Sequence, residues 1–283
     1  MTSIGNIPIR NTADLIGPWT RLCACMWAPP KFGKTNWAAR LDKVTRRWYN
    51  KKTLVIAVEA ADGGGTMSVR DQGVDYVEPA SWSDFQGIVS ALQSDTTYGG
   101  VVVDNASDLV KRFIQPTALA MPYDKGVAPP NRAKGVPAQG DYQTMGEMLR
   151  TELNKLVNMT KRNVSDDKRK HLIVTALMYE KVTRNGQETI SIGPALPGQM
   201  ADTASAMFQS MLTIEVEPKV VVDPNDKTKT TRVNTRVVVS ETDGKKILGD
   251  RMNIFPKRGE FDLEKIWEDY WLPACNMKEA VQA

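Results

Sequence analysis

The 283-residue sequence predicts an α/β fold: a mainly parallel central sheet with helices on both faces and antiparallel strands at its late edge. Short apolar, β-branched runs alternate with helix-length segments through most of the chain, which is the pattern of βα units. One of those runs, Leu22-Cys-Ala-Cys-Met-Trp27, leads through a tight loop straight into a helix that begins at Thr35. Beyond Arg184 the pattern changes to Thr189–Ile192, Met211–Val216 and 231–242, with Asp223-Pro-Asn-Asp226 as a turn between two strands.

Each element follows from local chemistry. Thr53–Glu59 reads as a buried strand, Gly63-Gly-Gly65 as a break, and Val74–Val77 as a short strand. Ser81, with Asp84 three residues on, marks a helix start, and that helix runs to about Gln93. Gly99-Gly-Val-Val-Val-Asp104 is the next strand, followed by a helix through Ile114. Proline and glycine break any periodicity over 121–140, so this segment is a long surface loop. From Asp141 to about Arg162, Met145, Met148, Leu149, Leu153, Leu156 and Val157 recur at helical spacing. Leu172-Ile-Val-Thr175 is a further buried strand, and Asp262–Trp271 is a closing helix whose Trp267 and Trp271 pack on the body.

Composition narrows the function classes. An apolar content of 41% is that of an ordinary soluble globular protein. The net charge of +4 is too small to imply a nucleic-acid partner by itself, but its distribution is uneven. Basic residues dominate 155–170 and 217–258, and acidic ones dominate 260–283. Cys23, Cys25 and Cys275 with the single His171 are too few for a metal–thiolate site. The sequence shows neither the order of a signal peptide nor an apolar run of membrane-spanning length, so a soluble cytoplasmic protein is expected, with no membrane partner.

Ala28-Pro29-Pro30-Lys31-Phe32-Gly33-Lys34-Thr35 matches the phosphate-binding pattern G-x-x-x-x-G-K-[ST] with alanine at the first glycine. In such a loop successive backbone N–H groups face the β-phosphate, Lys34 reaches the β/γ oxygens, and the Thr35 hydroxyl ligates Mg²⁺. Three apolar strand residues place Asp104 at the carboxyl edge of the sheet, where ligands of open α/β sheets bind. Asp104 is therefore the candidate to hold Mg²⁺ with Thr35; otherwise it caps the next helix. Glu59 ends its strand in the same way and is the candidate to orient or deprotonate an attacking water, with Asp62 as a nearby substitute.

These motifs, with Val101–Leu109 and Leu172-Ile-Val-Thr-Ala176, resemble the RecA-like ATPase core over residues 15–217, and specifically phage nucleotide-binding proteins of the Sak single-strand-annealing type. A helix like 141–157, an apolar strand and a segment like Pro194–Gly198 recur in that order in that family. The resemblance implies binding of ATP, oligomerisation as a ring or filament, and handling of single-stranded DNA in phage recombination, in a host cytoplasm. Residues 1–217 would form the ATP-binding core, with 218–283 as a β-hairpin and helix packed on it. Relatives commonly carry a polar γ-phosphate sensor, often histidine, where this chain has Ala176-Leu177-Met178. Only Thr175 remains as a polar candidate nearby.

Two basic loops are the candidates for DNA: 121–140, with Lys125, Arg132, Lys134 and a stacking residue in Tyr123, and 181–198, with Lys181 and Arg184. Solvated loops whose charges serve solubility are the alternative. The sequence thus supports a weak, DNA-stimulated ATPase acting in recombination or annealing. The other reading is an interaction protein that uses ATP as a structural ligand or switch, which Ala28 and Leu177 favour.

Overall fold

The structure is a computed structural model that describes residues 3–4, 7–8, 16–59, 65–123, 129, 132–183, 185–222 and 230–277. Strands Ser3–Ile4 (β1) and Ile7–Pro8 (β2) pair with each other. Cys23–Ala28 (β3) enters the phosphate loop, and helices Lys34–Ala39 (α1) and Leu41–Tyr49 (α2) follow it. Lys52–Ala57 (β4), Asp75–Val77 (β5), helix Trp82–Leu92 (α3) and Tyr98–Asp104 (β6) come next. Helix Ala106–Leu109 (α4) continues through a π-helical turn into Gln115–Ala120 (α5). Gln139–Asn158 (α6) precedes the hairpin of His171–Val182 (β7) and Thr189–Pro194 (β8). Met200–Met207 (α7), Ser210–Val222 (β9), Thr230–Val239 (β10), Gly249–Asp250 (β11) and Arg258–Glu260 (β12) lead to helices Leu263–Ile266 (α8) and Leu272–Ala274 (α9), which flank a π-helical turn at Trp267–Trp271.

The main sheet runs β12-β10-β9-β3-β7-β6-β4-β5. The pairs β9–β3, β3–β7, β7–β6, β6–β4 and β4–β5 are parallel, whereas β10, β12, β11 and β8 attach antiparallel. The late strands are therefore not all antiparallel. The 13-residue β9 pairs parallel to β3 at its start (Ala24↔Ser210) and antiparallel to β10 along its length (Thr213↔Val239 to Val222↔Thr230).

Alternation along β3 sends its residues to two cores. Cys23, Cys25 and Trp27 pack with α3 to α7, and Ala24, Met26 and Ala28 pack with α1, α2 and the C-terminal helices. Burial pushes the Cys23 and Cys25 thiols up to about 11 and about 12, which keeps them protonated and inert as ligands. Trp267 and Trp271 are fully buried and stacked, 4.6 Å between ring centroids, beside His171. His171 accepts a hydrogen bond from Leu22 N–H at Nδ1 (3.0 Å), and burial holds its pKa well below the usual imidazole value. The acidic C-terminal segment also has a local purpose: Asp262, Glu264 and Glu268 pair with Arg40, Lys43 and Arg47, tying the last helices to α1 and α2. Ser81 caps α3 by accepting from Asp84 N–H, and Asp141 steadies the start of α6 by accepting from Ala138 N–H (2.8 Å).

Candidate nucleotide site

The sheet order sets the site. β7 lies between the phosphate-loop strand β3 and β6, and the pairing of Ala57 with Asp104 brings β4 alongside. The carboxyl ends of all four strands thus meet at one edge. The loop turns through left-handed backbone at Lys31 (φ 66°) and Gly33 (φ 93°), a conformation that suits glycine at the second position. Lys34 is 7% exposed, and its ammonium donates to the carbonyls of Ala28 (3.0 Å) and Pro29 (2.9 Å), so Nζ lies across the mouth of the loop. Burial lowers its pKa, while the carboxylates of Asp104, Glu59 and Asp108 act in the opposite sense.

Asp104 joins the groups that the sequence places apart. Its Oδ2 accepts from the Thr35 hydroxyl (2.6 Å), and its Oδ1 accepts from the Thr175 hydroxyl, which also lies 3.4 Å from the carbonyl of Val103. Burial raises the Asp104 pKa, and the two threonine hydroxyls oppose that rise. Thr35 and Asp104 present hard oxygen atoms of the kind Mg²⁺ takes. The helix that follows is capped by Asn105, whose side chain accepts from Asp108 N–H (2.8 Å), which leaves Asp104 free of that duty. Glu59 lies one residue past Val58, whose N–H reaches Asp104 O (2.7 Å), and its carboxylate accepts from Asn105 Nδ2 (3.3 Å) and from Gly65 N–H. Asp62 lies outside the described residues.

Gly65 is a site residue that no motif marks. A Cβ there would stand 2.6 Å from Thr35 Oγ1, 3.0 Å from Glu59 Oε2 and 3.2 Å from Asp104 Oδ2. Its backbone (φ −64°, ψ −34°) is one that alanine adopts without strain. Gly65→Ala should therefore fold normally but press on the Thr35–Asp104 pair. We expect affinity for Mg²⁺·ATP to fall about tenfold, in line with overpacking elsewhere. Titration with and without Mg²⁺ checks this; an equal loss in both would show that the methyl disturbs the loop and not the Thr35–Asp104 pair.

The two loops that the sequence marks as candidates for DNA divide. The guanidinium of Arg132 is held by Asp141 (3.0 and 3.2 Å) and by the carbonyls of Ala118 (2.9 Å) and Met121 (2.7 Å), and it lies over the Tyr123 ring. Its Nε and Nη2 donors are committed inside the protein, and its guanidinium gives Tyr123 a cation on its face. Lys134 is exposed. Lys181 is exposed and pairs with Asp202 at 3.3 Å, a surface pair that a phosphate could displace. Lys125 and Arg184 lie outside the described residues.

Residues 20–246 match the family model described as an AAA domain. The chain belongs to the AAA domain family. With the phosphate loop and the sheet order above, it is a RecA-like P-loop nucleotide-binding domain. Comparison with curated protein sequences finds no match. Similar solved structures include a KaiC-like protein from the archaeon Pyrococcus horikoshii (10% identity, TM-score 0.39, covering 80% of this chain and 88% of that one). The flagellar accessory protein FlaH from Methanocaldococcus jannaschii is another (10% identity, TM-score 0.38, 86% and 84% covered). Among the described residues of this AAA domain no helix is long and apolar enough to cross a membrane.

Proposed function

We propose that this AAA domain protein binds ATP with Mg²⁺, hydrolyses it slowly, and handles single-stranded DNA as a phage recombination protein of the Sak annealing type, working as a homo-oligomeric ring or filament in the cytoplasm. The observation that carries the reading is the linked set Lys34, Thr35, Asp104 and Glu59 at one sheet edge. In it, Lys34 neutralises β/γ oxygens, Thr35 and Asp104 hold Mg²⁺, and Glu59 positions water; the metal supplies charge neutralisation on the phosphates. Of the loop residues, Lys31, Phe32 and Gly33 provide the backbone N–H cradle, while Pro29 and Pro30 shape the turn and have no N–H to give. The deciding experiment is steady-state ATP hydrolysis with and without single-stranded DNA: stimulation by DNA supports the reading, and turnover indifferent to DNA removes its DNA half.

A second reading, ATP as a structural ligand or switch, is favoured by one observation. Thr175, the polar group nearest the sensor position, is bonded to Asp104 and so is occupied.

For DNA, the contacts to test are Lys125 and Lys134 in one loop, and Lys181 and Arg184 in the other. Replacing Lys125 and Lys134 together by alanine should weaken single-strand binding and reduce the log–log salt slope by about 1.4, at roughly 0.7 per phosphate contact. An unmoved slope would transfer the role to Lys181 and Arg184. Arg132→Ala should act on folding instead, because it leaves the buried Asp141 carboxylate without its cation, a loss of about 3 kcal/mol.

A further inference from the structure

We propose that Phe261 and Arg236, from the C-terminal part of the chain, form the seat for the base of the bound nucleotide. The inference rests on nucleotide binding at Lys34 and Thr35. A nucleoside triphosphate in the loop has two ends, and the sheet gives each a different neighbourhood. On one side of β3 stand β7, β6 and β4 with Thr175, Asp104 and Glu59, the groups suited to metal, water and the terminal phosphate. On the other side stand β9, β10 and β12. The sugar and base must leave the loop away from the carboxylates, and that direction leads to Arg236 on β10 and Phe261 directly after β12.

Gly33 fixes how close they are. A Cβ built on it would lie 3.0 Å from the tip of the Phe261 ring (Cζ) and 3.6 Å from Nη1 of Arg236, so both side chains border the phosphate loop itself. The Arg236 guanidinium carbon is 5.6 Å from the Phe261 ring centroid, within the range of a cation over an aromatic face. From this pair a cleft of ≈ 1020 Å³ opens between Arg40, Val216, Asn234 and Glu260. Phe261 is half-buried and held in place: the next residue, Asp262, pairs with Arg40 at the end of α1 (3.0 Å) and accepts from Glu264 N–H (3.0 Å) to start α8. Arg236 is exposed, and among the described residues no carboxylate pairs with it, whereas Arg258 on the adjoining strand is bound to Glu215 and Glu217. A fixed ring and an uncommitted guanidinium beside a phosphate loop match a flat, π-faced group carried by phosphates. The register supports a common face, since Arg236 opposes Val216 and lies two residues from Val238, which packs in the core against α1 and α2.

The test compares ATP with inorganic tripolyphosphate, each with Mg²⁺, by titration calorimetry on the wild type, Phe261→Leu and Arg236→Ala. Leucine keeps bulk against the core, and Arg236 is at the surface, so neither change threatens folding. The wild type should prefer ATP by about tenfold or more, the scale of one base–aromatic stack, and each variant should lose most of that preference while its tripolyphosphate affinity stays within about twofold. A variant that binds both ligands equally more weakly, or neither more weakly, overturns the proposal. Tripolyphosphate binding in the wild type without any preference for ATP overturns it while leaving the phosphate loop intact; binding of neither ligand removes the nucleotide reading and the base seat together. Photolabelling by 8-azido-ATP gives an independent readout. Attachment within 258–265 is the expected result, and attachment confined to the β4–β6 side is the contrary one.

Discussion

Lys34→Ala should abolish productive nucleotide binding, with affinity for ATP falling by about 100-fold or more. Truncating one partner of a buried, hydrogen-bonded charge pair elsewhere loses 2–5 kcal/mol, and about 2.8 kcal/mol corresponds to two decades. Lys34 fits that class because its ammonium is buried, anchored to the Ala28 and Pro29 carbonyls, and within the electrostatic field of Asp104, Glu59 and Asp108. Its removal leaves an anionic pocket to receive an anionic ligand. The fold should survive, because β3 is packed by Cys23 to Ala28 and not by Lys34. Calorimetric titration with ATP decides the matter, alongside a melting curve without nucleotide. Unchanged affinity in a normally folded variant would refute the site.

Most of the fold was legible because its signals are local. The all-buried run Cys23–Ala28, the valines before Asp104 and the cap formed by Ser81 and Asp84 each depend on residues a few positions apart. Element lengths were harder to read. β7 continues past Thr175 to Val182 because β8 folds back on it, and its outer residues Met178 and Tyr179 are exposed, so no buried pattern marks the extension. β9 gave no hint of serving a parallel and an antiparallel neighbour at once. That depends on where β3 and β10 lie, not on its own residues.

The site shows the same division. The loop, Asp104 and Glu59 carry sequence signatures, while the groups that surround them do not. In the sequence Thr175 reads only as a substitute sensor; strand order makes it the residue that bonds Asp104. Gly65 reads as part of a glycine run, and only its approach to Thr35 gives it meaning. Arg132 reads as one more loop cation, and its partner Asp141 reads as a helix start, until the chain brings the two within 3.0 Å. The acidic tail segment is the clearest case, since Asp262, Glu264 and Glu268 find their cations more than 200 residues earlier. No window of sequence contains such a pair.

Hydrolysis should be slow, and Leu177 is the reason. The ladder pairs Leu177 with Ala28, the first residue of the phosphate loop, and alternation puts its side chain on the face that carries Thr175 two residues earlier. An apolar group therefore stands beside the loop, where the resemblance to the Sak type implies a donor to the γ-phosphate. Its backbone cannot substitute: the N–H donates to Ser107 Oγ (3.0 Å) and the carbonyl accepts from Ala195 N–H (2.7 Å). Thr175 cannot either, since its hydroxyl is held by Asp104. Charge developing on the transferred phosphoryl group thus lacks one preorganised hydrogen bond, and deleting a comparable donor in other enzymes lowers the rate by about 10²–10³. ATP binding should persist, because the loop amides, Lys34 and Thr35 provide it. Leu177→His restores a donor at the position, and we expect it to raise hydrolysis in the presence of single-stranded DNA, with little change in ATP affinity. Steady-state turnover of the wild type and Leu177→His, with and without single-stranded DNA, is the measurement. Brisk DNA-stimulated turnover in the wild type would sink the idea outright, because a donor absent from this edge would then have been supplied from elsewhere.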